Sequence, residues 1–242
     1  MSISWSDGLS RSLCSLGCMA LCGVGASWLA RRFMGPPPNK GCPWDETKWS
    51  EITKKVRALE KEMGVETSVE IQEQENTFRT NADAFTGRVT LLMDPQRFSK
   101  CSPEEQNFVI AHELSHIKHR TALRISTCIS LAAFVIPSVV FPILVPGAFL
   151  PFHLAAGLVS GWFGYCTAHS VGTNLVEKLA DYEAYSICEE KGGISFLTRL
   201  VPFERNRLIA FLCGGLDQPA LQTRIASLQK WSQERKDLLT GL

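Results

Sequence analysis

The stretch Ala111-His112-Glu113-Leu114-Ser115-His116 constrains this chain more than any other. On a helix, residues four apart stand on one face, so His112 and His116 can aim both imidazoles at one cation. Glu113, beside the first of them, can reach a water on that cation. Two imidazoles at this spacing with a neighbouring carboxylate point to zinc and to metal-assisted hydrolysis. A catalytic zinc takes three protein ligands and keeps a position open for water. The fold must therefore deliver a further ligand from a distant part of the chain.

The surroundings predict the required helix. Ser102 reads as its N-cap, Pro103 as its first residue, and Glu105 as the partner that completes a capping box. Phe108, Val109, Leu114 and Ile117 supply apolar contacts, and neither Gly nor Pro intervenes between Glu104 and Pro137. The competing reading is a core helix with two satisfied histidines, but burying two His and a Glu without a partner is costly.

Glu177 and Asp181 are candidates for the rest of the site, since at four residues apart they share a helical face. One can bind metal, and the other can accept a hydrogen bond from the far nitrogen of a ligand histidine. The alternative is a solvated acidic face on an ordinary helix. His119 lies on the stripe of His112 but about 10 Å along the axis, so it is expected at the far edge of the site or in solvent. His153 and His169 fall in an apolar segment and are expected to be structural.

The order of these motifs resembles that of the membrane zinc metallopeptidases, a family that includes HtpX-type heat-shock proteases, type I CAAX prenyl proteases and mitochondrial Oma-type proteases. Asn81-Ala82-Asp83-Ala84-Phe85 is similar to the family's Asn-Ala-x-Ala segment before a substrate-side strand. Pro219-Ala220-Leu221-Gln222-Thr223-Arg224-Ile225 is similar to its His-Pro-Pro-x-x-x-Arg-Ile/Leu helix start. The likeness runs from about residue 81 to residue 228.

The resemblance implies one zinc per chain held by His112, His116 and Glu177, with Glu113 as general base and Asp181 supporting the ligands. It places Arg224 beside the site, where it would steady the oxyanion. Two departures stand out. The family's oxyanion-stabilising histidine falls on Gln218, whose amide can still donate a hydrogen bond but carries no charge. Thr173-Asn174 stands where the family tends to carry Ser-Arg. Losing one oxyanion donor costs on the order of 100-fold in rate. A catalytically weakened zinc-binding membrane protein with a regulatory or binding role is therefore the alternative to a zinc endopeptidase. An extended substrate would pair with a strand edge, for which 67–73 and 88–93 are the candidates.

Residues 125–176 contain no Asp, Glu, Lys or Arg and divide at Pro146-Gly147 into halves that could each cross a bilayer. A hairpin returns the chain to the side it left, which lets Glu177 meet His112 and His116. The alternative is a buried hairpin in a soluble domain. The segment 13–30 is a further apolar stretch, read as an uncleaved anchor, with a signal or targeting segment as the rival. Cys14, Cys18 and Cys22 on it suit small-residue helix packing. Basic residues flanking these segments place the catalytic side in the cytoplasm by the positive-inside rule.

A formal net charge of +1 without basic runs gives no support for nucleic-acid binding. Nine cysteines, an odd count without a CxxC pair, suit a reducing compartment. The expected partners are a protein or peptide substrate and the lipid bilayer.

The expected fold is α+β: a mostly helical zincin-like metallopeptidase domain with a small β-sheet, plus transmembrane helices. Residues 1–34 would be the anchor, and 35–122 the first part of the peptidase domain, opening with a stiff Pro-rich linker at 35–41. Residues 123–169 would form the transmembrane hairpin, and 170–242 the second part of the domain. An amphipathic helix is expected over 45–63, with Trp49, Ile52, Val56, Leu59 and Met63 as its stripe and Gly64 closing it. Gly192-Gly193 is expected to end the helix that carries Glu177, and a last helix to bury Leu221, Ile225 and Leu228.

Overall fold

The computed structural model describes residues 42–43, 45–75, 78–82, 89–144, 150–188, 190–203 and 220–240. The 13–30 segment, the 35–41 linker, residues 83–88, the turn at Pro146-Gly147 and Gln218 lie outside them. The chain divides into two compact units. One comprises Asn39–Arg124, Thr173–Asn206 and Asp217–Leu242, and contains all the strands described next and all the helices except the parts of two that run through 125–172.

Helix α1 (Ser50–Met63) buries Ile52, Val56, Leu59 and Met63 along one stripe, as its spacing predicts. It begins later than expected. The Asp45 carboxylate accepts hydrogen bonds from the Thr47 and Lys48 N–H groups, each at 3.0 Å, and holds 45–48 as a turn. Gly64 ends the helix at φ +65°, where the left-handed conformation costs glycine little.

Strands β1 (Cys42–Pro43), β2 (Val69–Glu73), β3 (Phe78–Ala82) and β4 (Val89–Met93) form one sheet in the order β1-β2-β4-β3. β2 and β4 are parallel, with Val69 opposite Val89. β3 is antiparallel to β4, with Phe78 opposite Met93. β4 buries Val89, Leu91, Leu92 and Met93, the near-continuous apolar run of a central strand. This corrects the expectation for the substrate edge. β4 is paired on both sides, and β2 is flanked by β4 and, at Gln72 and Glu73, by β1. Among the described residues, β1 and β3 are the edge strands, and β3, with five residues, is the longer edge. Strand pairing joins segments distant in sequence, so the apolar runs alone did not reveal their order.

Asp94 then caps the short α2 (Pro95–Phe98). Helix α3 (Pro103–Lys118) carries the HExxH motif and starts with the expected capping box: Glu105 N–H donates to Ser102 Oγ at 3.3 Å, and Ser102 N–H to Glu105 Oε2 at 2.9 Å. Glu105 does a second job. Its carboxylate, 1% exposed, also accepts from Ser195 Oγ at 2.7 Å and from Arg199 Nη2 at 2.5 and 2.6 Å. These partners lie on α6 (Glu190–Leu200), so the cap of α3 is also its fastening to α6.

Helices α4 (Arg120–Leu144) and α5 (Leu150–Ile187) complete the long elements, and α5 carries Glu177 and Asp181. Gly192 and Gly193 do not end α5. They sit inside α6, where the missing side chains admit α3: a Cβ on Gly192 would overlap the Glu104 carbonyl oxygen, and one on Gly193 would lie 2.5 Å from Phe108 Cε2. A 3₁₀ turn (Val201–Phe203) follows, and α7 (Leu221–Thr240) buries Leu221, Arg224 and Leu228. Val56, Val69, Leu91, Phe108, Leu197 and Leu228 are all at most 2% exposed in the core these elements share. Each contributes about 1.5–3 kcal/mol by leaving water.

The other unit holds the uncharged segment, Ile125–Gly172. Here Gly164 and Gly172 bring two helical stretches together: a Cβ on Gly164 would stand 2.5 Å from the Ala133 carbonyl oxygen, and one on Gly172 would overlap Ser126 Oγ. Among the described residues, no helix is long and apolar enough to cross a membrane. The expected spanning helices are therefore not found there. Over 155–172 the apolar run is diluted by Gly157, Ser160, Gly161, Gly164, His169 and Gly172. In α4, the side chains beyond Ile136 lie outside the description.

Candidate metal centre

The capped start of α3 sets the phase of its apolar face, and that phase turns His112 and His116 toward α5. Their Nε2 atoms stand 3.2 Å apart. The Glu177 carboxylate meets both, Oε1 at 3.2 Å from His116 Nε2 and Oε2 at 3.4 Å from His112 Nε2. His112, His116 and Glu177 form a group that can hold a metal ion. Two ligands at about 2.0–2.1 Å on a tetrahedral zinc are separated by about 3.3 Å. The two imidazole nitrogens stand at about that separation, and each has an oxygen of the Glu177 carboxylate at a similar distance, so the residues suit the ion the spacing called for.

The surroundings are ordered around that cage. Asp181 Oδ1 lies 3.0 Å from His112 Nδ1, so the carboxylate fixes which ring nitrogen keeps its proton and leaves Nε2 for the ion. Arg224 donates from Nε to Asp181 Oδ2 at 2.7 Å and from Nη2 to Oδ1 at 2.6 Å. Its Nη1 lies 3.2 Å from Glu177 Oε2. Asp181 and Arg224 are 1% and 5% exposed, so solvent screens this pair little. Glu113 is buried next to His112 on α3, and its charge is among those felt by Arg224.

Titration follows from this packing. Burial pushes the His112 imidazole down, but hydrogen bonds to Asp181 and Glu177 outweigh it and lift the pKa to about 9. Burial pushes the Glu177 and Asp181 carboxyls up, yet their hydrogen bonds to His112 and to His116 or Arg224 hold both below the ordinary carboxylate range. The cage is thus an anionic pocket in which a cation can replace the His112 proton.

The structure brings together six of the seven residues expected at the site, and Gln218 lies outside the described residues. One role changes. Arg224 was expected to face the substrate oxyanion, but its guanidinium is committed to Asp181 and Glu177 and is buried, so it orients the ligands instead. Its fork matches a carboxylate in both shape and charge, which is why it pairs there. His119 pairs with Glu183, Nε2 to Oε1 at 2.8 Å. The His169 ring stacks on Tyr165, and the His153 side chain lies outside the described residues. Sequence reading passed over Glu183 and Ser115. Their signal was an acidic side chain two residues beyond Asp181 and a hydroxyl directly before His116.

Among curated proteins, none matches the chain. The family pattern of Peptidase family M48 matches residues 47–232. That span includes His112, Glu113, His116, Glu177, Asp181 and Arg224, and peptidases of this family are zinc-dependent. The chain belongs to peptidase family M48, the zinc metallopeptidases whose motifs its own resemble.

Proposed function

We propose that the protein is a zinc-dependent endopeptidase that works at a membrane. The observation that carries this reading is the convergence of His112 Nε2 and His116 Nε2, 3.2 Å apart, on the Glu177 carboxylate, whose Oε2 and Oε1 lie 3.4 and 3.2 Å from them. Zinc held there supplies a lowered water pKa and polarisation of the scissile carbonyl. Glu113 takes the proton of the attacking water and returns it to the leaving amine. Asp181 and Arg224 keep the ligands in place, and the Gln218 amide is the candidate donor to the oxyanion. An extended substrate adds to the free side of β3, the edge strand that lies against α3.

A lipid setting is supported by the uncharged run 125–176 and by outward apolar side chains. Ile125, Ile129, Leu131, Ile136, Val159 and Phe163 are each 49–59% exposed. Such a surface calls for lipid or a partner. With the catalytic side in the cytoplasm, cysteine labelling of intact cells with an impermeant reagent will leave Cys101 unlabelled, and the protein will sediment with the membrane fraction. Labelling of Cys101 from outside, or recovery in the soluble fraction, contradicts this setting.

The alternative, a weakened relative that keeps its metal as a binding or regulatory protein, draws on Gln218 standing where the family carries histidine. Casein cleavage or self-cleavage by detergent-purified protein, compared with Glu113→Gln, separates the two. Loss of a general base costs about 100- to 10,000-fold. Equal cleavage by both proteins removes the peptidase reading.

A further inference from the structure

Glu183 has no part in the chemistry just described, yet it draws three side chains from the zinc-motif helix onto one carboxylate. Ser115 Oγ donates to its Oε2 at 2.7 Å. Lys118 Nζ donates to Oε1 at 3.2 Å, and His119 Nε2 lies 2.8 Å from the same oxygen. Ser115, Lys118 and His119 surround the last turn of α3, where His116 sits.

The three contacts differ in weight. Lys118 is 39% exposed and His119 29%, so solvent weakens both of their ion pairs. Ser115 is 1% exposed. A buried hydroxyl donating to a carboxylate makes a short, directional, charge-assisted bond, and Ser115 directly precedes the ligand His116.

Glu183 also has a counterpart. At 100° per residue, Asp181 and Glu183 fall on opposite flanks of the line through Ala180 and Ala184, both of which are buried. Asp181 ties one flank of α5 to His112. Glu183 ties the other flank to the turn that carries His116. Rotation of α5 about its own axis would stretch one tie or the other, and that rotation would also swing Glu177 away from the imidazoles.

We infer that Glu183 is a positioning residue for the metal centre: with Ser115 it sets the register between His116 and Glu177. This rests on the zinc reading above and extends it to residues that touch neither metal nor substrate.

The test is zinc affinity by chelator competition on the full chain in detergent, for wild type, Glu183→Ala, Glu183→Gln, Ser115→Ala and the core control Val56→Ala. Glu183→Ala is expected to loosen zinc about tenfold, the lower end of what outer partners of metal ligands contribute. Ser115→Ala moves the same way. Glu183→Gln keeps an oxygen for Ser115 and recovers most of the affinity. Val56→Ala lowers the melting temperature and leaves the affinity unchanged.

In the cobalt-substituted protein, Glu183→Ala also changes the visible ligand-field spectrum, which a stability defect alone does not move. Folded Glu183→Ala that holds zinc as tightly as wild type overturns the inference, as does a loss in Val56→Ala equal to that in Glu183→Ala. If Glu183→Ala does not fold, unchanged affinity in Ser115→Ala overturns it. Wild type that binds no zinc is a separate result and brings down the metal site itself.

Discussion

Arg224 grips Asp181 through two parallel hydrogen bonds, at 2.7 and 2.6 Å, and the same Asp181 oxygen that takes Nη2 faces His112 Nδ1 at 3.0 Å. One arginine on the last helix thereby sets the orientation of a metal ligand two helices away. The relay is buried throughout, so removing a member leaves a charge without a partner.

Arg224→Ala is expected to destabilise the fold by about 3–5 kcal/mol, the cost of stranding a buried carboxylate. Chemical denaturation measures this. Asp181→Asn leaves the fold less disturbed but weakens zinc binding about 10- to 100-fold, because the amide no longer holds His112 in its ligating tautomer. A loss below about 1 kcal/mol for Arg224→Ala would show that the relay is not the support described.

Gly193→Ala is expected to cost about 1–3 kcal/mol, since its Cβ would lie within 2.9 Å of three Phe108 ring atoms in a filled core. Gly192→Ala drives a side chain into the Glu104 backbone, which cannot swing aside as a side chain can. It should therefore be the worse of the two. Denaturation midpoints of the two variants settle their order, and an undiminished midpoint for Gly192→Ala contradicts the packing.

Acid should unfold the protein through Glu105 and Glu183. Burial raises both carboxyls, but their hydrogen bonds win and leave both below the ordinary value of 4.5. A depressed carboxylate contributes stability that is complete above its unfolded pKa and is lost as pH falls through its folded one. Stability should hold from pH 7 to about 5 and fall below 4.5. In Glu105→Gln that fall should be shallower. An equally steep fall in the variant contradicts the assignment of Glu105.

Peptide substrates methylated on the backbone nitrogens flanking the scissile bond should show KM raised about tenfold, the worth of one strand hydrogen bond. The free side of β3 can pair only with unblocked amides. Equal KM for methylated and unmethylated peptides would remove β3 as the docking edge.

The parts legible in sequence are those fixed by local chemistry. Ser102, Pro103 and Glu105 announced the start of α3, and the four-residue spacings of His112 with His116 and of Glu177 with Asp181 announced their shared faces. The parts missed are set by contacts across the fold. Gly192-Gly193 looks like a helix stop, and only the presence of Glu104 and Phe108 against it makes it a packing surface. The interior place of β4 depends on β2 and β3 flanking it, and no local pattern encodes that order. Arg224 reads as a cation near the site, while its actual partner lies 43 residues earlier. Glu105 reads as a cap, and its grip on Arg199 is invisible until α6 is in place.

The most direct test is elemental analysis of purified protein beside Glu177→Ala. One zinc per chain in the wild type, and far less in the variant with its helical content intact, is the outcome expected from a cage of His112, His116 and Glu177. Zinc content unchanged by Glu177→Ala, or no zinc in folded wild type after incubation with the metal, would contradict it.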